Sequence, residues 1–432
     1  MGTLLQLALG SIYAWSFFQQ PIMELGKWTN VEVAWAFSLA IFFLGLAAAW
    51  GGINLDRFGP RTLAMTGGVL FSLGYFIASI ALYIKSLPLL YVGYGLINGI
   101  GLGLGYVTPV ATSAKWFPDK KGFITGMVVM GFGFGALIMT KVLAPIFMFV
   151  THGDLVTVFF YIGVIMLFIT LPAGYCLVNP PPTFPLNKGI RHSGGNEQQV
   201  QADIHNARRY VLSRTFLVMW TVFFCNIIVG IMFIGFQSPM LQDILKSTMA
   251  QTTLSDSKIT AGLAASGATL IAASSICNGM GRFVWGGLSD KIGRVQTFRW
   301  ILGTQLGVFI ALIFVSDPLV FSILVCYILL CYGGGFGSMP SFVLDVFGPK
   351  LMPFLYGTIL TAWGLGGIIG PQIVAFLKDN FGRQAAQYTF GCAAGFLLCG
   401  LIIAFALDNG KFAHPEDSRT VGPAAREGKI KL

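Results

Sequence analysis

Charge is what this sequence has least of. Only 10% of its 432 residues are Asp, Glu, Lys or Arg, against about 25% in an ordinary soluble domain. With 55% hydrophobic residues beside that figure, a soluble globular protein is excluded and a chain that crosses a membrane many times is indicated. The 4 histidines lie mostly in polar loops or the tail, which argues against a metal centre. Cys176, Cys225, Cys277, Cys326, Cys331, Cys392 and Cys399 all fall in apolar segments without C-x-x-C spacing. They read as small buried residues rather than disulfides or zinc ligands. The spans also lack a paired carboxylate, a His/Cys cluster or an activated nucleophile, which speaks against an enzyme. We expect neither cofactor nor metal.

What the sequence does hold is apolar runs of helix length. A sliding window gives twelve candidate spans: 3–23, 33–54, 63–84, 89–112, 123–146 and 156–178, then 213–240, 262–287, 298–315, 318–344, 355–377 and 387–407. The first begins almost at Met1 and reads as a membrane span rather than a cleavable signal; its abruptness is what the loss of a short polar leader would leave. A polar stretch with Pro180-Pro181-Pro182 and Gly194-Gly195 reads as a linker. The expected organisation is therefore a six-helix bundle at 1–178, a linker at 179–212, a second bundle at 213–407 and a tail at 408–432.

The net charge of +10 invites a nucleic-acid reading until the basic residues are placed. With N-terminus, linker and C-terminus on the cytoplasmic side, 18 basic residues fall inside and 6 outside. That asymmetry fixes the expected orientation in the cell membrane and accounts for the charge without nucleic acid. The remaining three are Lys141, Arg282 and Arg299. All 17 acidic residues fall in loops or the tail, so Arg282 has no obvious fixed counter-ion.

The halves repeat each other. Gly51-Gly52-Ile53-Asn54-Leu55-Asp56-Arg57-Phe58-Gly59-Pro60-Arg61 is echoed by Gly286-Gly287-Leu288-Ser289-Asp290-Lys291-Ile292-Gly293-Arg294, with Asp56 and Asp290 at an offset of 234. A second echo links Trp116-Phe117 with Val346-Phe347. Two six-span halves make a parallel-repeat transporter the leading architecture.

The doubled G-x-L-x-D-(R/K)-x-G-R pattern resembles the signature of the major facilitator superfamily. Lys115-Trp116-Phe117-Pro118-Asp119-Lys120-Lys121-Gly122 and Asn278-x-x-Gly281-Arg282 resemble the oxalate/formate antiporter family, related to the monocarboxylate (lactate/pyruvate) transporters. The resemblance implies an all-α polytopic membrane protein with 12 helices in two six-helix bundles, moving organic anions by alternating access. A monomer is expected, working in the lipid bilayer on a small monocarboxylate. Proton symport and anion exchange both remain open.

Arg282 is the first candidate for that anion. It lies eight residues before Asp290, about 12 Å along a helix, close to half a hydrocarbon core of about 15 Å. A cation there costs about 2.5–3.5 kcal/mol or more. Its planar fork matches a carboxylate, the alternative being bonds to the carbonyls of a broken helix; the resemblance places the family's substrate-binding arginine here. Asn278 sits one turn earlier on the same face, where it can bond guanidinium, substrate or a neighbouring helix. The resemblance places Trp363 where the oxalate carrier has a second buried cation, a lysine, which suits a substrate of one charge. Helix packing is the competing reading. Tyr13, Tyr106, Phe132, Tyr332 and Phe336 match cavity-lining aromatics of that carrier, with hydroxyls lost at Phe132 and Phe336.

Lys141 is expected half a turn away from Phe132, snorkelling to the outer surface or drawing anions into a vestibule. Asp56, Arg57, Arg61, Asp290, Lys291 and Arg294 lie at the inner surface, where they are expected to pair across neighbouring helices and gate transport. The glycine strings 99–105, 131–135, 333–337 and 364–367 read as close helix packing rather than a nucleotide fingerprint.

Overall fold

In a computed structural model the described residues are 1–117, 121–181, 209–248 and 256–405. The tail at 408–432 and the linker between 182 and 208 lie outside them. Eleven helices among the described residues are long and apolar enough to cross a membrane. They are α3 (Asn30–Phe58), α4 (Pro60–Tyr83), α5 (Leu87–Trp116), α6 (Phe123–Val150), α7 (Leu155–Tyr175), α8 (Arg214–Lys246), α9 (Ala261–Ile292), α10 (Arg294–Leu312), α11 (Pro318–Gly348), α12 (Leu351–Phe381) and α13 (Ala385–Ala404).

The first expected span is broken. Residues 2–26 form α1 (Gly2–Leu9), a 3₁₀ turn (Gly10–Ala14) and α2 (Trp15–Gly26). The break sits where Gly10 lies against α6: a Cβ there would be 2.0 Å from the Phe132 carbonyl oxygen. Backbone is pressed on backbone at this crossing, as small residues permit in apolar surroundings.

Helix starts follow local chemistry. Thr29 and Glu32 form a capping box at α3, with Thr29 N–H donating to Glu32 Oε2 at 2.8 Å. Asp154 caps α7 and Asp317 caps α11, each accepting two backbone N–H bonds. Burial of α7 and α13 is the least among the spans, so they form the lipid-facing flank, and Phe168 and Ile402 on them point outward.

The sequence repeat is also a structural one. Gly59 (φ 78°, ψ 157°) and Gly293 (φ 89°, ψ 152°) end one helix and begin the next in the same left-handed conformation, which glycine adopts without steric cost. Asp56, Arg57, Asp290 and Lys291 therefore stand on the last turns of α3 and α9, not in loops as the sequence suggested. Helical hydrogen bonding simply runs on past the apolar run.

Two seams join the halves, α3 against α12 and α6 against α9, with α2 also meeting α8. Glycines set their closeness. A Cβ on Gly52 would lie 2.3 Å from Pro353 O, and one on Gly133 would lie 2.4 Å from Gly279 Cα. The string 131–135 serves two faces. Gly131 and Gly135 meet α1 and the 3₁₀ turn within their own half, whereas Gly133 meets the other half. Alternate residues on a helix point about 200° apart, which is why every second glycine changes partner.

Candidate functional site

α9 runs unbroken from Ala261 to Ile292 and carries Asn278 and Arg282 on the face turned to α6 and α11. Arg282 is fully buried. Its Nη1 donates to the Val129 carbonyl at 3.2 Å across the α6–α9 seam, and its Nε reaches Asn278 Oδ1 at 3.4 Å. The guanidinium carbon lies 4.7 Å from the Phe336 ring centroid and 5.2 Å from that of Phe132, so two ring faces replace water around the charge. Nη2 is buried without a hydrogen-bond partner. The alternative of carbonyl bonding is thus met by one carbonyl and leaves one arm of the fork free.

The aromatic candidates converge on this cation. Phe132 packs edge-on against Tyr13 at 5.0 Å, Tyr106 at 5.2 Å and Trp363 at 5.5 Å between centroids. Phe336 meets Trp363 at 4.6 Å and Tyr332 at 5.2 Å. Tyr13 and Tyr332 share a hydroxyl–hydroxyl bond of 2.5 Å, drawn from opposite halves. All six rings are buried. Trp363 is packed between helices, as the competing reading expects, and its Nε1 has no partner.

Tyr356 was not picked out from the sequence. Its hydroxyl lies near that of Tyr106, both are buried without a well-formed hydrogen bond, and both lie within electrostatic reach of Arg282. A signal existed: Tyr356 is seven residues before Trp363 on α12, two turns away on the same face. The Val129 carbonyl had no such signal, because backbone acceptors carry no residue identity. Four buried donors thus stand unmatched around one cation: Arg282 Nη2, Tyr106 OH, Tyr356 OH and Trp363 Nε1. Each unmatched buried group costs about 1–3 kcal/mol, a cost that an acceptor with several lone pairs removes. A gap of about 10 Å³ beside Tyr13 and Asn278 is bordered by Gln237, Ser274 and Ser275.

The other candidates lie elsewhere. Lys141, on the α6–α9 seam, donates to Thr269 Oγ1 at 2.8 Å at an exposed position. Asp56 pairs with Lys115 at 2.6 Å, while Arg57 lies over Phe58 and Arg61 over Tyr175. Arg294 bridges Asp290 at 2.7 Å and Asp345 at 2.9 Å; Lys291 is exposed. Among the described residues these ion pairs tie helices of the same half together. Arg299 lies at a helix end over Phe405.

Contacts close the seam on either side of Arg282. On the Lys27 side, Asp379 accepts from Asn30 Nδ2 at 2.9 Å and Val31 N at 3.1 Å, and Gln372 Nε2 donates to Ser38 at 3.3 Å. On the Asp56 side, Gly52 and Gly357 press against the backbone of the opposite half.

A multi-pass helical membrane protein built as two repeated halves around a buried cation defines a class of carrier folds. The family model described as Major Facilitator Superfamily matches residues 2–371 and 235–429, and the chain belongs to that superfamily. It is similar to the oxalate:formate antiporter of Oxalobacter formigenes, 27% identical over 405 residues, covering 92% of this chain and 86% of that protein. It is similar also to apicoplast pyruvate carrier 1 of Toxoplasma gondii, 26% identical over 424 residues (86% and 73% covered). Monocarboxylate transporter 13 of Rattus norvegicus is 24% identical over 410 residues (91% and 84% covered).

Proposed function

We propose that this protein is a secondary transporter of small monocarboxylates of the lactate, pyruvate or formate type, working by alternating access in the cell membrane with both termini cytoplasmic. The observation that carries the reading is the free Nη2 of a fully buried arginine inside a wall of rings. A carboxylate offers two acceptor oxygens and one negative charge. It would take Nη2 and neighbouring tyrosine or tryptophan donors together, neutralising a cation that no buried acid among the described residues neutralises. The relatives named above, an oxalate:formate antiporter, a pyruvate carrier and a monocarboxylate transporter, support a small organic anion as cargo.

The charge count favours one carboxylate over two. Oxalate would call for a second cation, and Lys141, the nearest candidate from the sequence, is instead bonded to Thr269 at an exposed position. Proton symport and anion exchange both fit this site. Loss of ordered contacts at one end of the seam while the other holds would open the cage to one side at a time.

The test is uptake of labelled lactate, pyruvate, formate and oxalate into proteoliposomes. We expect at least one monocarboxylate to be carried and oxalate to be carried poorly. Oxalate as the sole substrate would overturn the monocarboxylate reading in favour of an oxalate/formate antiporter. Tight binding of an acid without uptake would make the protein an anion sensor.

A further inference from the structure

Ser275 stands on α9 two turns from Arg282 and is buried. Its hydroxyl donates to Gly133 O at 2.5 Å and accepts from Leu137 N at 3.0 Å. Gly133 and Leu137 are four residues apart on α6, the donor and acceptor that an α-helix pairs with each other. A side chain of one half therefore bonds both members of one backbone pair in a helix of the other. This contact needs the close approach that Gly133 and Gly279 provide. Immediately beyond it α6 runs into a π-helical stretch, Met139–Leu143, a local irregularity of the kind often found at functional sites.

The same short stretch of α6 builds the anion site. Val129 O holds Arg282 Nη1, and the Phe132 ring covers the guanidinium; Gly133 follows directly. Further along, Lys141 bonds Thr269. One helix thus senses both the cation and the closure of the seam.

We infer that Ser275 is a positioning residue for the transport site, a hydroxyl latch that holds α6 against α9 when the Lys141 side is closed and withdraws when it opens. The inference rests on the transport reading. What makes the latch reversible is that no backbone group is orphaned in either position. When the hydroxyl withdraws, Leu137 N–H and Gly133 O still have each other as helical partners, and Ser275 back-bonds to Ile271 O on its own helix. Back-bonding shares a carbonyl already in use, so it is the weaker arrangement and the cross-seam one is favoured. The element is bistable, as a switching interface requires.

The experiment places a cysteine at Ala136, which is buried on α6 at the edge of the gap. Proteoliposomes are treated with a membrane-impermeant thiol reagent, with the protein lacking this cysteine as background. The labelling rate reports the open fraction. Relative to Ala136→Cys alone, adding Ser275→Ala should raise the rate roughly threefold, the worth of part of one hydrogen bond, and adding Ser275→Thr should keep it near the parent value. Counterflow should show Ser275→Ala altering turnover with KM moved less than twofold. An unchanged labelling rate in Ser275→Ala overturns the latch, and so does a Ser275→Thr protein that folds and labels as fast as Ser275→Ala. Labelling requires no substrate, so a protein that carries none of the acids would refute the transport reading while the latch is still decided.

Discussion

Replacing Arg282 separates its cost from its use. In the substrate-free protein the guanidinium is buried with one good backbone bond, one long bond to Asn278 and two ring faces. It has no carboxylate partner among the described residues, and one arm of the fork is unmatched. Arg282→Met removes a desolvated charge and refills much of the volume, a change that is commonly neutral or stabilising in protein interiors. We therefore expect the methionine protein to unfold at a temperature no lower than wild type in detergent. Substrate at 100 times its Kd should stabilise the wild type by about 2.7 kcal/mol and leave Arg282→Met unmoved. Arg282→Lys keeps the charge and loses the fork. Losing one charge-assisted hydrogen bond of about 1.5–3 kcal/mol weakens binding roughly 10- to 150-fold. The assays are thermal unfolding with and without substrate and initial uptake of the labelled acid. Uptake by Arg282→Lys at the wild-type rate, or substrate-induced stabilisation of Arg282→Met, would refute the clamp.

The unmatched donors make a second test. Tyr106→Phe removes a buried hydroxyl that makes no well-formed hydrogen bond in the free protein, so stability should hold within about 1 kcal/mol while substrate affinity falls up to about tenfold, read by uptake KM. Gly133→Ala puts a Cβ 2.4 Å from Gly279 Cα; the α6–α9 seam should fail to close and turnover should collapse, measured by counterflow beside a binding assay. The α7 cap gives a pH dependence. Asp154 has a carboxyl held below its ordinary value of 3.8 first by the Thr157 hydroxyl and then by backbone N–H bonds from Thr157 and Val156. A depressed pKa contributes stability that is present above the ordinary value and lost as pH falls through the folded one. Asp154→Ala should thus cost about 0.5–2 kcal/mol at pH 7, with the difference from wild type shrinking in unfolding experiments as pH falls below 3.8 and through the lowered folded value.

Much of this protein was written in one dimension. The spans showed because helices in a membrane must satisfy their own backbone bonds and be apolar over a fixed length. The repeat showed because Gly59 and Gly293 need the same left-handed turn. Arg282 showed because an unpaired cation in an apolar run is expensive, and the six rings named with it do converge on it.

Other features belong to the fold alone. Helical periodicity gives a residue its face but not its partner across a seam, so the Val129 carbonyl under Arg282 and the Ser275 hydroxyl on the α6 backbone could not be read from the chain. The first span looked continuous because its composition is largely apolar; it breaks at Gly10, where the backbone of α6 at Phe132 presses on it. Ala48, the first-half counterpart of Arg282, illustrates the division. The sequence determined that it carries no charge, and only the packing of its carbonyl against Gly357 decided that the second half closes over that position. Composition and spacing are local properties of the chain. Which donors are left unmatched around a buried cation depends on the close approach of two halves, and that is settled only in three dimensions.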